Sequence, residues 1–324
     1  MNLKFSLLLN DCHMKNSLKI VLPLLFAILI LGSCNRSKKQ EATAPSQDIL
    51  RGKVNVLVDE TLYPILKEQV DVFQSSYSDA TIQLLAKPEI KAVNALLADS
   101  SSVIILTRKL TEAEGKNFKD RKIIPKEYQI GSDAVVLINN IADTDTTITL
   151  SDVKSLLSGE LKGKYRVVFD NANSSTLRFL KDYLSINKID PASISALDKN
   201  EDVIKYVSEN RGSIGILGYN WILEMAQKKS DLLNKIRTLS VENALGAQKD
   251  GLFYKPSQSN MSLGLYPFTR PIYVLNYQPN MGLGLGFSAF LTGDRGQRIM
   301  LKAGLLPVTM PGREIIIREE NSLN

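Results

Sequence analysis

The stretch that decides the fold reads V-N-V-L-V-D-E-T-L-Y-P-I-L-K-E-Q-V-D-V-F at residues 54–73. Four of its first five residues are apolar and three of these are β-branched valines, as in buried parallel strands. After the polar residues 59–61, apolar side chains recur at helical spacing from Leu62 to Phe73. Pro64 falls in the first helical turn, where its missing N–H group costs nothing. The stretch therefore predicts a strand, a polar loop and a helix in direct succession.

The same strand-to-helix alternation continues along the chain. A capping-box spacing, T-E-A-E at 111–114, also predicts the start of a helix. Such alternation is typical of an α/β fold with mainly parallel sheets. Further strands are predicted at 81–85, 103–106, 134–138, 165–169 and 214–217, and further helices at 90–97, 151–157 and 177–184.

Polar loops follow three of the predicted strands. They are residues 59–61, Thr107-Arg108, and D-N-A-N-S-S-T at 170–176. Ligands of open α/β sheets bind beyond the carboxyl ends of strands, where the next helix begins. Hydroxyl groups and free backbone N–H groups at a helix start can hold an anion, helped by the helix dipole. Plain N-capping explains any one loop alone, so only the three together favour an anion site.

The scarcity of histidine and cysteine excludes most enzyme classes. The chain has 324 residues, a net charge of +6, 44% hydrophobic and 23% charged residues, which is ordinary for a globular protein of about two domains. Its one histidine is His13 and its two cysteines are Cys12 and Cys34. Removal of residues 1–33 would leave neither a histidine nor a cysteine pair. We therefore expect no catalytic triad, His-ligated metal, cofactor or internal disulfide.

The amino end has the pattern of a secretory signal. Lys15 and Lys19 precede an apolar run of 12 residues at 20–31, which is shorter than the about 20 residues of a membrane-spanning helix. The run ends in L-G-S-C at 31–34, which resembles the bacterial lipoprotein processing box. That resemblance implies cleavage of residues 1–33 and lipidation of Cys34. The alternative is a small-residue cleavage site with a chance cysteine.

The start of the mature chain is predicted to be a tether. Residues 34–50 would comprise the lipidated cysteine and a flexible polar linker to the folded part. Either Met1 or Met14 could be the true start, since Met14-Lys15 opens the usual basic region of a signal peptide. The mild, unclustered positive charge does not argue for nucleic acid, and it suits capture of a small anion.

Seven blocks carry a resemblance that covers the chain from about residue 53 to residue 308. They are similar, in family order, to the phosphate-binding proteins of bacterial phosphate ABC importers, within the type 2 periplasmic binding protein superfamily. The blocks are V-D-E-T-L-Y-P-I (58–65), I-I-L-T-R-K-L (104–110), L-S-D-V-K-S-L-L-S-G-E (150–160), N-S-S-T-L-R-F-L (173–180), R-G-S-I-G-I-L-G-Y (211–219), Y-P-F-T-R-P-I-Y-V (266–274) and G-D-R-G-Q-R-I-M-L-K-A-G-L-L-P-V (293–308).

The resemblance implies two α/β lobes with mixed, mainly parallel sheets joined by two crossover strands. The crossovers are expected near 131–138 and 270–276. One lobe would combine residues 51–132 with 270–324, and the other would span 133–269. A hinge motion would close the lobes over an anion.

The resemblance also implies which residues bind the anion. Thr61 matches the hydroxyl residue of the first loop, with the backbone N–H group of Leu62 beside it. The second-lobe turn matches a Ser-Gly-Thr motif of the family at Ser174, Ser175 and Thr176. Hydroxyls and main-chain N–H groups replace the water shell of an oxyanion with aligned donors.

Several positions depart from the family pattern. Lys87-Pro88-Glu89 stands where the family has a Gly-Ser-Gly-type turn, and Asp59-Glu60 replaces small residues and would repel phosphate unless neutralised. Thr107-Arg108 stands where many members carry Ser-Asp and others carry Ser-Arg. The family arginine before the Ser-Gly-Thr turn falls on Phe169 or Asp170. Acidic and basic positions therefore look exchanged between the lobes.

Two accounts of the site stay open at this point. In one, Thr107 and Arg108 help to hold phosphate, Arg108 supplies the positive charge and Asp170 accepts the phosphate proton. In the other, the pocket has been retuned for another anion or a larger ligand. Arg178 is a spare cation that is expected on a solvated helix face. Asp133, in the first crossover, is expected to be a structural hydrogen-bonding residue.

The sequence thus predicts a protein that binds and does no chemistry. We expect an exported, lipid-anchored, monomeric solute-binding protein, held at a membrane by Cys34, that captures phosphate or a similar oxyanion and delivers it to an ABC importer permease. The alternative is the same fold used as a sensor or surface interaction protein with an altered pocket. The G-L-G-L-G sequence at 282–286 is expected to serve close packing at a helix start rather than dinucleotide binding.

Overall fold

The structure is a computed structural model that describes residues 48–161, 163–245 and 248–312. The predicted signal peptide, Cys34 and nearly all of the predicted tether lie outside the described residues. The described residues all belong to one compact unit. No helix in the described ranges is both long enough and apolar enough to cross a membrane.

The first part of the chain alternates strands and helices as the sequence predicts. Its elements are β1 (Gly52–Asp59), a 3-10 helix (Glu60–Leu62), α1 (Tyr63–Ser76), β2 (Ala80–Lys87), α2 (Glu89–Leu97), β3 (Val103–Leu106), α3 (Glu112–Asp120) and β4 (Lys126–Asn140). The capping box at the start of α3 is confirmed, because Thr111 and Glu114 bond each other's backbone N–H groups.

The middle of the chain continues the pattern with shorter strands. Its elements are β5 (Thr147–Ile148), α4 (Leu150–Ser158), β6 (Arg166–Phe169), α5 (Ser175–Tyr183), β7 (Ile194–Ala196), α6 (Asn200–Glu209), β8 (Ser213–Gly218), α7 (Tyr219–Gln227), a 3-10 helix (Asp231–Lys235), β9 (Ile236–Thr238), β10 (Ser240–Glu242), β11 (Phe253–Tyr254) and α8 (Gln258–Ser262). The last elements are β12 (Thr269–Asn276), α9 (Leu283–Thr292), α10 (Asp294–Lys302) and β13 (Leu306–Pro307).

The strands form a mixed sheet in the order β2-β1-β3-β12-β4-β8-β6-β7, with β13 and β9 also paired to β4. Strand β1 is parallel to β2 and β3, and β6 is parallel to β7 and β8. Strand β12 is antiparallel to β3 and β4, and β8 is antiparallel to β4. A second, small sheet has the order β11-β10-β5. The predicted α/β fold of two lobes with mixed, mainly parallel sheets is confirmed.

Strand β4 is shared by the two lobes. Its residues 126–134 pair with β12, whereas residues 135–139 pair with β8. We call the part built on β1, β2, β3 and β12 the first lobe, and the part built on β6, β7 and β8 the second lobe. The lobe limits given above, 51–132 with 270–324 and 133–269, stay predictions.

Each lobe has its own buried apolar core. In the first lobe, Phe73 packs edge-on against Phe287 and Phe290. In the second, Tyr266 and Phe268 pack together among buried aliphatic side chains. The consecutive residues 56–58 of β1 are all fully buried, which explains why this strand is apolar without alternation.

The glycines at the start of α9 serve close packing, as predicted. A Cβ atom on Gly286 would overlap the backbone carbonyl of Ile49, and one on Gly284 would overlap the side chain of Gln278. Larger residues at these two positions would push α9 away from its neighbours.

Candidate functional site

Arg270 is the largest fully buried side chain among the described residues, with no exposed surface. It lies on β12 directly opposite Asp133 of β4 in the antiparallel register. Its Nε and Nη2 atoms donate to Asp133 Oδ2 at 3.3 and 2.9 Å. A guanidinium in a low-dielectric interior needs such a partner, so the two crossover strands carry a buried ion pair between the lobes.

The remaining donors of Arg270 reach one hydroxyl group from each lobe. Nη2 donates to Thr61 Oγ1 of the first lobe at 3.0 Å, and Nη1 donates to Ser175 Oγ of the second lobe at 2.8 Å. The two hydroxyl oxygens lie 3.2 Å apart. We call Arg270, Asp133, Thr61 and Ser175 the Arg270 centre; all four are fully buried.

The loop after β1 positions Thr61. Asp59 Oδ1 accepts hydrogen bonds from the backbone N–H and the hydroxyl of Thr61, both at 3.0 Å, and so caps the 3-10 helix. Leu62, whose backbone N–H is a predicted donor, is the N-cap of α1 and is buried. From the second lobe, Asn220 Nδ2 donates to the Thr61 carbonyl at 2.5 Å.

The loop after β6 divides its hydroxyls between capping and the Arg270 centre. Ser174 is the N-cap of α5, accepting from the Thr176 backbone N–H, and its Oγ lies 2.8 Å from Thr176 Oγ1. Plain capping therefore accounts for Ser174, but Ser175 Oγ is directed at Arg270. Asp170 is also buried and accepts from Asn200 Nδ2 at 3.3 Å.

Arg108 and Thr107 lie at a second polar cluster, centred on Glu89. Arg108 donates from Nε to Glu89 Oε1 at 2.8 Å and holds both carboxylate oxygens of Glu114 at 2.7 and 2.9 Å. Arg178 of α5 donates to both oxygens of Glu89, at 2.7 and 3.1 Å. The expectation of a solvated helix face for Arg178 is therefore wrong, because this side chain reaches a buried carboxylate of the other lobe.

Burial shifts the acidic groups beside the Arg270 centre toward their neutral forms. It raises the pKa of Asp59 to about 6, against the opposing effect of Arg270. Burial, reinforced by the charges of Asp170 and Asp59, raises the pKa of Glu60 to about 7. The pKa values of Asp133 and Asp170 are also raised by burial. A protonated carboxyl can donate a hydrogen bond, so at pH values below these pKa values Asp59 and Glu60 do not repel an anion.

Hydrogen bonding to arginine has the opposite effect in the Glu89 cluster. The bonds from Arg108 lower the pKa of Glu114 to about 2. Burial lowers the pKa of Arg108, but the hydrogen bonds to Glu114 and Glu89 raise it by a larger amount. The net shift is upward. Both groups are therefore charged at every physiological pH.

The structure thus brings together only some of the predicted site residues. Thr61 and Ser175 meet at the Arg270 centre, with Asp170 and the remaining loop hydroxyls close in sequence to them. Thr107 and Arg108 contact Glu89 instead. Among the described residues, no group of three or more His, Cys, Asp or Glu side chains could hold a metal ion.

Arg270 and Glu89 are the site residues that the sequence reasoning does not assign. A signal for Arg270 was present, because F-T-R-P-I-Y-V at 268–274 places one positive charge inside an apolar crossover strand. A buried charge needs a partner, so this pattern could have pointed to the cleft. Glu89 offers no comparable signal, since acidic residues are common in the first turn of exposed helices.

The chain has two α/β lobes that share one strand, and polar side chains of both lobes meet between them. This arrangement is typical of two-lobed binding proteins. A family model described as the PBP superfamily domain matches residues 39–295, and the chain belongs to this superfamily. No curated protein sequence matches the chain.

Solved structures support the same fold. One is a Clostridium perfringens protein described as a phosphate ABC transporter substrate-binding protein and solved with bound phosphate. It is 18% identical to this chain, with a TM-score of 0.64, and the match covers 80% of this chain and 100% of that one. An ABC-type phosphate transport receptor from Vibrio cholerae is 15% identical with a TM-score of 0.60, over 79% of this chain and 100% of that one. At these identities the similarity shows the fold.

Proposed function

We propose that this chain is an extracytoplasmic, lipid-anchored solute-binding protein that captures phosphate or a similar small oxyanion between its lobes. It delivers the anion to an ABC importer permease and does no chemistry itself. The observation that carries the proposal is Arg270, a fully buried cation that contacts hydroxyl groups from the helix starts of both lobes. The phosphate-binding relatives of the same fold support the choice of ligand.

The proposed anion contacts combine charge with neutral donors. Arg270 supplies the positive charge, and Thr61 and Ser175 supply hydroxyl groups within reach of it. The backbone N–H of Leu62 and the helix start at residues 174–176 add further donors. Together these groups can replace the water shell of an oxyanion as the lobes close.

Asp170 is the proposed acceptor for a proton carried by the ligand. It is buried, and among the described residues its Oδ1 has no hydrogen-bond partner within normal distance and angle limits. An acceptor facing a bare oxyanion oxygen is repulsive, so this arrangement favours a protonated phosphate over fully ionised sulfate. Thr107 and Arg108, predicted as contacts from the sequence, would join the site only if Glu89 released them.

Calorimetric titration tests the binding proposal. Residues 35–324 would be stripped of ligand by unfolding and refolding, then titrated with phosphate and, as control, with sulfate. We expect tight binding that prefers phosphate. Absence of heat with both anions, in a protein that has refolded, would contradict the phosphate assignment.

The anchoring part of the proposal rests on the sequence at residues 31–34 and has its own test. The full gene would be expressed in a bacterium, and the chain would be extracted with a phase-separating detergent. We expect the wild type in the detergent phase with an acylated amino-terminal Cys34, and Cys34→Ala in the aqueous phase. A wild-type chain whose mature amino terminus is not Cys34 would contradict lipid anchoring.

A second candidate function keeps the fold and changes the use of the pocket. Glu89 already binds Arg108, which the sequence predicts as an anion contact, and Arg178, as expected of a sensor or surface interaction protein with an altered pocket. The calorimetric experiment separates the two candidates, because this one predicts no selective phosphate binding.

A further inference from the structure

The side chain of Glu89 lies between arginines that come from different lobes. Glu89 is the first residue of α2 in the first lobe, and its side chain is 1% exposed. Arg108 follows β3 of the same lobe, and Arg178 belongs to α5 of the second lobe. Arg178 Nη2 also donates to Thr107 Oγ1 at 3.2 Å. We call Glu89, Arg108, Arg178 and Thr107 the Glu89 bridge.

The position of Glu89 makes it a substitute for a bound anion. Its carboxylate stands at the amino end of α2, where the helix dipole favours negative charge, and the N-cap Pro88 provides no side-chain cap. Two guanidinium groups and one hydroxyl surround it, which are the groups that recognise oxyanions in proteins. A carboxylate of the chain itself therefore takes the place that a ligand oxyanion would need.

The charges of the bridge tie the two lobes together. Arg178 and Arg108, from different lobes, share one carboxylate oxygen, Oε1 of Glu89, at 2.7 and 2.8 Å. Without the negative charge of Glu89, these two cations would face each other at close range in a partly buried site. Mutual repulsion would then favour separation of α5 from the first lobe.

We infer that Glu89 is a specificity-determining residue that acts as a built-in anion. It holds the lobes closed across the Glu89 bridge without a bound ligand, and it keeps Arg108 and Arg178 from binding a ligand. The chain then binds only a small oxyanion at the Arg270 centre. A larger anion that must also contact Arg108 and Arg178 is excluded as long as the Glu89 side chain holds these two arginines. The ligand part of this inference rests on the proposed function, whereas the closure part does not.

Hydrogen exchange on the full chain, with no phosphate or sulfate present, tests closure alone. We expect Glu89→Gln and Arg178→Gln to raise exchange at least tenfold at the backbone amides of residues 61–63 and 174–178. The control is Glu114→Gln, which removes the same charge from Arg108 within one lobe and keeps the capping box. Exchange in Glu89→Gln and Arg178→Gln that matches Glu114→Gln would overturn the inference.

Hydrogen exchange at the backbone amides of residues 56–58 distinguishes general unfolding from separation of the lobes, because these residues of β1 lie in the core of one lobe. We expect their exchange to stay within threefold of the wild type. Equal acceleration at 56–58 and 174–178 in both variants would mean general destabilisation and would also overturn the inference.

Titration with inorganic phosphate and with pyrophosphate then tests specificity. We expect pyrophosphate to bind at least tenfold more tightly to Glu89→Gln than to the wild type, while Glu114→Gln shows no such gain. Faster exchange without any phosphate binding would leave the closure role intact and contradict the proposed function instead. Unchanged pyrophosphate affinity in a variant that binds phosphate would contradict the specificity role.

Discussion

Arg270 and Asp133 face each other across the antiparallel pair β12 and β4, and neither side chain has any exposed surface. Their separation of 2.9 Å places an ion pair at the point where the chain passes between the lobes. Loss of one partner leaves the other charge buried, which costs about 3–5 kcal/mol in comparable cases.

We therefore expect Arg270→Leu to lower the free energy of unfolding by roughly that amount. The double variant Arg270→Leu with Asp133→Leu should recover more than half of the loss, because no uncompensated charge remains. Urea denaturation of the single and double variants measures both values. A double variant as unstable as Arg270→Leu would show that the hydroxyl contacts of Arg270, rather than its ion pair, determine stability.

The effects of single substitutions show whether Arg270 or Arg108 supplies the positive charge of the anion site. If Arg270 supplies the charge, Ser175→Ala should weaken phosphate binding at least tenfold, because it removes a hydroxyl in contact with Arg270. Arg108→Ala should change the affinity less than threefold, since Arg108 contacts Glu89 and Glu114. Calorimetry compares both with Ser151→Ala, an exposed serine of α4. The reverse order of effects would favour the account in which Arg108 provides the charge.

The raised pKa of Asp59 predicts a pH dependence of stability. A carboxyl whose pKa is about 6 in the folded state and 3.8 otherwise binds its proton more tightly when the chain is folded. Its contribution is complete below the lower pKa and is lost as the pH rises through about 6. At about 1.4 kcal/mol per unit, the loss amounts to at most ~3 kcal/mol.

Asp59→Asn should remove this dependence, because asparagine keeps the cap on Thr61 and cannot ionise. Thermal unfolding of both proteins between pH 4.5 and 7 measures the effect, because the contribution of Asp59 is lost between its unfolded pKa and its folded pKa of about 6. Glu114, with a pKa of about 2, loses its contribution only under more acidic conditions and does not interfere. A wild type whose stability falls with pH no more steeply than that of Asp59→Asn would contradict the prediction.

Two glycine-to-alanine substitutions should have opposite signs. Gly286→Ala should destabilise the chain by about 1–3 kcal/mol, because its Cβ would overlap the Ile49 carbonyl. Gly115→Ala, in α3 with open space around the new atom, should stabilise by about 0.5–1 kcal/mol. Chemical denaturation of both variants gives the two values. A stabilising Gly286→Ala would show that the segment at Ile49 does not pack against α9 in solution.

The sequence predicts the fold well because its strands and helices carry local signals. β3 at 103–106 has the predicted bounds, and the helix after β1 begins at the predicted Pro64 turn. Strand β4 is the main discrepancy: it spans 126–140 rather than 134–138, since its first half is half-polar where it pairs with β12. The hydrophobic pattern of residues 126–133 does not show that they pair with β12, which is far away in the sequence.

The site is less predictable because its contacts join residues far apart in the chain. Thr61 and Ser175 follow separate strands, and helix-start chemistry suffices to select both of them. Arg108 also follows a strand, as a ligand contact would, yet its guanidinium donates to the carboxylates of Glu89 and Glu114. Only the packing of the two lobes decides that Arg270 faces these hydroxyls while Arg108 faces Glu89.

The shared strand β4 has a mechanical consequence. A chain whose lobes are linked by a loose connector can lose one lobe to heat or a protease while the other survives. Here a single stretch of backbone belongs to both hydrogen-bond ladders, so fraying of β8 from residues 135–139 also weakens the support of β12 on residues 126–134. We therefore expect the two lobes to unfold together rather than one after the other.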